Sequence, residues 1–256
     1  MIQFVRLGAA AVMSAWLGAA LAAPEETVLE TRLVDARAVR VKIEGLVDLK
    51  LTQGAVPTLT IIGERGLVTK LTTSQQGDTI TIATEGKGFK LGRKSNGVRA
   101  ELTLPELREV LSDSVGTTEV NGFSGDEIDL KLDGAGAMKV NCNYRVVNAV
   151  LGGLGSMHIA GANSEGIDLN LRGAGVITLH GASKWLKASL GGLGSLNAQP
   201  FVVDTVSLDL SGLGNASVTA RRNANLNVSG LGSVTVYGKP LNRSVTVDGL
   251  GKVNWK

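Results

Sequence analysis

The chain has 256 residues, a formal net charge of +3 and a single cysteine, Cys142. So even a balance excludes a general electrostatic attraction to nucleic acid, and one thiol excludes an internal disulfide, so stability must come from burial and hydrogen bonding. Glycine is the anomaly, at 34 residues about twice its usual share, in a chain whose apolar content is Val, Leu, Ile and Ala; this is the composition of short strands and tight bends.

The first element is a targeting segment. MIQFVR carries one positive charge, at Arg6, and an apolar stretch from Leu7 to Leu21 leads into the small-x-small pattern Ala20-Leu21-Ala22. Residues 1–22 therefore read as a signal peptide. The apolar stretch is about 15 residues, short of the roughly 20 that a spanning helix needs, and no cysteine stands at the cleavage point to carry a lipid. The expectation is an exported protein, periplasmic, secreted or at the cell surface, with no transmembrane segment once the signal is removed.

Residues 23–109 form a strand-rich lead-in. AVRVKIEG (38–45), VDLKLTQG (47–54), TLTII (58–62), TITIA (79–83) and VRAELTLP (98–105) alternate apolar and polar residues, the pattern of half-buried strands. No fixed period joins them, so they predict either a capping sheet or the first, distorted coils of a column continued by the rest of the chain. Between them GKGFKLGRKS (86–95) looks like a phosphate loop, but Gly92 is followed by Arg93 where that loop needs Lys. It reads as a solvated loop whose Lys87, Lys90, Arg93 and Lys94 would suit an acidic partner.

From residue 110 to 256 the chain repeats. Seven Gly-x-Gly pairs stand at Gly134/Gly136, Gly153/Gly155, Gly173/Gly175, Gly192/Gly194, Gly212/Gly214, Gly230/Gly232 and Gly249/Gly251, at intervals of 19, 20, 19, 20, 18 and 19. LGGLGS at 151–156 returns at 190–195, two periods later. Apolar residues hold register on both sides of every pair, such as Leu169, Leu171, Ile177 and Leu179 around Gly173/Gly175. Period-two patterning on each flank predicts two strands per repeat with a glycine corner between them. Such a repeat cannot bury its own face, but stacked copies can. The predicted fold is an all-β parallel β-helix, or β-solenoid, with coils of about 19 residues and an irregular N-terminal cap, continuous with the repeats as one domain. The residue inside each pair is apolar and is expected to point inward, while the flanking glycines adopt backbone angles forbidden to other residues.

The repeats offer little chemistry. No pair continues to the third glycine of a dinucleotide loop, and a strand rather than a helix follows each one. Gly152-Gly153-Leu154-Gly155 lacks the aspartate of calcium-binding β-rolls. His158, His180 and Cys142 stand five, seven and eight residues after their own glycines, at different places on the column, so no shared metal is expected. No Gly-x-Ser-x-Gly marks a nucleophile. The catalytic rival is a polysaccharide lyase or hydrolase built on Asp129 and Asp168, two turns apart and hence roughly 10 Å, with Lys131 beside them; nothing else marks such a site. No catalytic, cofactor-binding or metal residue is assigned.

One outward row is better suited to binding. Lys139, His158, Thr178, Asn197, Ser217 and Thr235 each stand five residues after a first glycine, which predicts a ladder of hydrogen-bonding groups at fixed spacing, an extended face of the kind solenoids use for partners. A glycan or an envelope or surface protein is the expected partner; a purely structural role in the envelope, with no bound ligand, is the other non-catalytic expectation.

The lead-in VRVKIEGLVDLKLTQG, the transition ELTLPELREV and the repeats IDLNLRGAGVITLHG, VSLDLSGLGNASVTA and LNVSGLGSVTVYGKP together resemble the bacterial cell-envelope family described as putative autotransporter adhesin, head GIN domain. The resemblance covers nearly the whole mature chain. It implies a solenoid of parallel β-coils in an adhesin-like, non-catalytic protein, with no catalytic residues to carry over. The sequence carries no membrane-barrel segment after the repeats, so the expectation is that surface display needs another protein or does not occur.

Overall fold

The computed structural model describes residues 26–84 and 97–256, so the expected signal peptide at 1–22 and the basic loop at 86–95 lie outside the described residues. The architecture is the expected β-solenoid: among the described residues, 17 strands join in one continuous hydrogen-bonded system. Six long strands carry the repeats: β9 (Thr117–Leu132), β10 (Ala137–Leu151), β11 (Ser156–Leu171), β12 (Val176–Leu190), β13 (Ser195–Leu210) and β14 (Asn215–Val228). All pair in parallel with the next, and every pairing carries a register shift near its middle, as between Asn141 and Val146. At that shift the strand bends from one face of the column to the other. β9 shows this directly: Thr118 in its first half pairs with Leu49, whereas Asp129 in its second half pairs with Glu109 on a different strand. One coil is thus an arm, a bulged bend, a second arm and a glycine corner.

The lead-in is both cap and coils. β2 (Arg40–Gly45) and β3 (Val47–Gln53) stack in parallel under β8 (Glu109–Ser114) and β9. Below them lie β6 (Thr79–Thr84) and β7 (Val98–Leu104), still parallel. Antiparallel strands then close the end: β5 (Leu71–Gln76) on β6, β4 (Thr58–Glu64) on β7 and β1 (Thr27–Arg32) on β4, with the one-turn helix α1 (Arg65–Val68) joining β4 to β5. Parallel stacking therefore starts about three coils before the first Gly-x-Gly corner. At the other end β15 (Ser233–Tyr237), β16 (Asn242–Val247) and β17 (Lys252–Trp255) complete the last coils. There Arg243 lies 4.5 Å over the Trp255 ring.

The core is columnar. Leu132, Leu151, Leu171, Leu190, Leu210 and Val228 occupy one register position in successive coils, all buried. Burying each such side chain contributes about 1.5–3 kcal/mol before entropy is counted, and no coil achieves it without its neighbours. Polar groups in the interior are paired where the repeat starts: Ser112 Oγ lies 2.9 Å from Ser114 Oγ and 3.3 Å from Thr118 Oγ1. Tyr144 OH, at the bend of β10, donates to the Leu107 carbonyl oxygen.

Candidate functional site

The glycine corners shape the surface in a way that reverses one sequence expectation. The residue inside each pair points outward: Leu154, Leu193, Leu213, Leu231 and Leu250 are exposed by 54% (Leu213) to 78% (Leu250). Nor do the glycines serve for their backbone angles, since Gly249 alone among the paired glycines has a left-handed φ, at 125°. Close approach is what requires them. The parallel ladder runs unbroken through the corner, with Leu193 N–H donating to the Gly173 carbonyl at 3.2 Å and Ser195 N–H to Gly175 at 2.9 Å. Those same carbonyl oxygens would lie 2.0 Å and 2.4 Å from a Cβ on Gly192 and Gly194. The corner hydrogen bonds can form only if no side chain begins there.

The same correction applies to the last three corners, where Gly214, Gly232 and Gly251 were expected to hold forbidden backbone angles. All three lie outside the left-handed region. A Cβ on Gly214 would run into the Gly194 carbonyl oxygen, and one on Gly232 into the Gly214 oxygen. At Gly251 the obstacle differs: the Val228 side chain of the preceding coil stands in the way, while the Gly230 and Gly232 oxygens are 3.2 Å off. Backbone crowding is thus relaxed at the terminal coil, and the final glycine makes room for a core side chain instead.

The outward residues make an apolar ridge along one edge of the column, at about 4.8 Å per coil. Where alanines replace leucines, the ridge dips. Val115, Ala135, Leu154, Ala174 and Val176 line a shallow groove of 460 Å³. The sequence carried this signal, an apolar residue in all seven pairs, but the inward assignment concealed it. An exposed apolar strip of this continuity is uncommon on a soluble surface.

The predicted polar ladder lies on the arm after each corner. Lys139 pairs with His158, His158 with Thr178, Thr178 with Asn197, Asn197 with Ser217 and Ser217 with Thr235. The flanking residues Met138 and Val140 in β10, and their counterparts in later coils, are buried beneath. Lys139, His158 and Asn197 are exposed, whereas Thr178, Ser217 and Thr235 are half-buried between their neighbours in the stack. The six positions thus span about 24 Å on one rigid face at strand spacing.

The histidines are closer than their spacing implied. Because His180 pairs with the backbone of Ala160, two residues beyond His158, the two imidazoles are diagonal neighbours with ring centroids 4.8 Å apart. The inference that they fall at different places on the column is therefore corrected: a 20-residue coil turns a 22-residue separation into an offset of one coil plus two residues on the same face.

The carboxylates of the catalytic rival do not converge. Asn148 lies between Asp129 and Asp168 in register; its amide donates to Asp129 at 2.9 Å. Asp168 is ion-paired with Lys187 at 3.0 Å and Lys131 with Asp133 at 2.8 Å. Cys142 is buried, and that burial pushes its thiol up to about 12. That burial disfavours the thiolate on which nucleophilic attack depends.

A second feature escaped the sequence reading. At the bend opposite the glycine corner, successive coils present Asp126, Arg145, Glu165, Lys184, Asp204 and Arg222, alternating in sign. Arg145 reaches Asp126 at 3.3 Å and Glu165 at 2.9 Å, Lys184 reaches Glu165 at 3.4 Å, and Arg222 reaches Asp204 at 3.7 Å. The guanidinium of Arg145 and the ammonium of Lys184 hold the Glu165 carboxyl below its ordinary range.

Three comparisons bear on this architecture. The family model described as putative auto-transporter adhesin, head GIN domain, matches residues 39–240. Among curated proteins no match is found. The crystal structure of a putative adhesin from Parabacteroides distasonis superposes with a TM-score of 0.81 at 19% identity, covering 91% of this chain and 98% of its own. A putative adhesin from Parabacteroides merdae gives 0.82 at 17% identity, over 91% and 97%. A putative lipid binding protein from Parabacteroides distasonis gives 0.71 at 18% identity, over 89% and 96%. At these identities the likeness is one of fold.

Proposed function

The chain belongs to the head GIN domain family, and on that premise we propose that it is an exported, non-catalytic β-solenoid of the cell envelope acting as an adhesin-like binding module. No helix among the described residues is long and apolar enough to cross a membrane. The observation that carries the reading is the in-register polar ladder from Lys139 to Thr235: six side chains, one per coil, on a face whose backbone is fixed by hydrogen bonds on both sides. Such a face offers a repeating ligand the same donor and acceptor geometry many times, and weak contacts made in series add through effective concentration. A polymer with hydroxyl groups along its length, an envelope or host glycan, fits these short Ser, Thr and Asn side chains best. A surface protein is the other expected partner.

The test is size-exclusion chromatography of the mature protein with intact bacterial and host polysaccharides, repeated with the triple variant Thr178→Ala, Asn197→Ala, Ser217→Ala. Co-elution with one polymer, lost in the variant, supports binding through the ladder. Shortened polymer would overturn the non-catalytic reading, and co-elution unchanged in the variant would move the binding face elsewhere.

A further inference from the structure

The chain has two histidines, and they touch. We propose that His158 and His180 form a surface site for a divalent late first-row transition-metal ion, with Cu²⁺ held most tightly. The inference does not depend on the adhesin reading.

Geometry carries it. Both side chains are exposed on the same face, on adjacent strands β11 and β12, with centroids 4.8 Å apart and planes inclined by 44°. With a metal–nitrogen bond of about 2.1 Å and a ring radius of about 1.1 Å, two imidazoles sharing one ion place their centroids about 4.5 Å apart at a right angle and about 5.2 Å apart at the tetrahedral angle. The observed separation falls between these values. Neither ring has a hydrogen bond or ion pair to another described residue, so ligation breaks nothing. The strands beneath are fixed by the parallel ladder, and only side-chain rotations remain to be set.

The surroundings are compatible with a cation. Lys139, in register with His158 on the preceding coil, is ion-paired with Glu119 on the coil before that, at 3.1 Å, which draws its ammonium away from the pair. Thr178 follows His158 in register on the coil of His180. No group of three or more His, Cys, Asp or Glu forms a metal cluster among the described residues, so the remaining coordination positions belong to water. That makes the ion exchangeable, unlike the closed four-ligand sites that hold structural zinc. Two imidazoles with open positions favour metals in the order Cu²⁺ over Ni²⁺ and Zn²⁺.

The experiment is a Cu²⁺ titration of the tag-free mature protein, followed by electron paramagnetic resonance and repeated for His158→Gln, His180→Gln and the double variant. We expect one ion per chain with two imidazole nitrogens coupled to it. Each single variant should bind at least about tenfold more weakly, since losing even an outer-shell partner of a metal ligand costs 10–100-fold. Far-UV circular dichroism of the metal-free variants should match wild type, because both rings are exposed. Affinity left unchanged by either single substitution, a spectrum with one coupled nitrogen, or equal uptake by the double variant would overturn the proposal.

Discussion

Three glycines within four residues allow the corner mechanism to be tested sharply. Gly191, Gly192 and Gly194 differ only in what a Cβ would meet. At Gly191 the nearest atom is Ser211 Oγ at 3.7 Å, an ordinary contact. At Gly192 it is the Gly173 carbonyl oxygen at 2.0 Å, and at Gly194 both the Gly175 oxygen and Leu171 Cδ2 lie at 2.4 Å. None of the three has a left-handed φ, so alanine tests space alone. Gly191→Ala should be neutral or stabilising by up to about 1 kcal/mol, through the unfolded chain. Gly192→Ala and Gly194→Ala must push two coils apart by roughly 1 Å at a strand spacing near 4.8 Å. Overpacking costs about 1–3 kcal/mol, and each corner hydrogen bond lost adds about 1 kcal/mol, giving about 3 kcal/mol or more for each variant. For a domain of this size that is a fall of about 6–12 °C in melting temperature, read by far-UV circular dichroism. Melting within about 2 °C of wild type at Gly192→Ala would refute the close-approach argument, as would equal damage at Gly191→Ala.

Two further predictions concern the surface. Glu165 has its carboxyl held below the ordinary value of 4.5 by Arg145 and Lys184; a folded value lower than the unfolded one means stability that is complete above the unfolded value and lost as pH falls through the folded one. The melting-temperature gap between wild type and Glu165→Gln should therefore be widest near neutral pH and close on acidification, and a gap that widens in acid would contradict it. On the ridge, Leu193→Ser with Leu213→Ser should change stability by no more than about 0.5 kcal/mol per site while reducing retention on a hydrophobic column; a loss of the 2–5 kcal/mol typical of core truncation would mean that these leucines are not surface residues.

How far the sequence disclosed this depended on which feature was periodic and which was relational. The intervals of the glycine pairs and the alternating apolar flanks specified the coils, and the column of Leu132, Leu151 and Leu171 stands where that alternation placed it. The polar row from Lys139 to Thr235 aligns because it was counted from the same glycines. Orientation at the corner was misread, because alternation cannot be carried through a turn: Leu193 flips outward between two glycines whose backbones are pinned to the coil below. The His158–His180 contact was missed for a different reason. Residues at unequal distances from their own corners still meet diagonally, and a residue-by-residue register cannot show that. The lead-in strands were recognised, but the pairing of β2 with β6 and β8, across an intervening hairpin, depends on contacts distant in sequence that no local pattern encodes.

The alternating charges at the bend solve a problem that the repeat itself creates. Coils with interchangeable leucine columns and glycine corners can pair one coil out of step, with little loss of core packing. Sign alternation penalises that slip, because a shift of one coil sets Arg145 against Lys184 or Glu165 against Asp204, whereas a shift of two coils restores every attraction. The charges thus have the same two-coil period as the LGGLGS echo. Exposed pairs contribute little to absolute stability, but an alternation of this kind would weigh against a one-coil slip. Deleting residues 192–211 removes one coil while keeping the corner sequence, and brings Lys184 opposite Arg222. In that shortened chain Arg222→Asp should raise the melting temperature at low salt, by restoring an opposite-sign pair. In the full-length chain the same substitution breaks the 3.7 Å pair with Asp204, sets two carboxylates against each other, and should lower it. Both effects should shrink as salt screens the charges. If Arg222→Asp moves stability in the same direction in both chains, the bend charges do not set the register, and whatever keeps the coils in step must lie in the unequal side chains of the core.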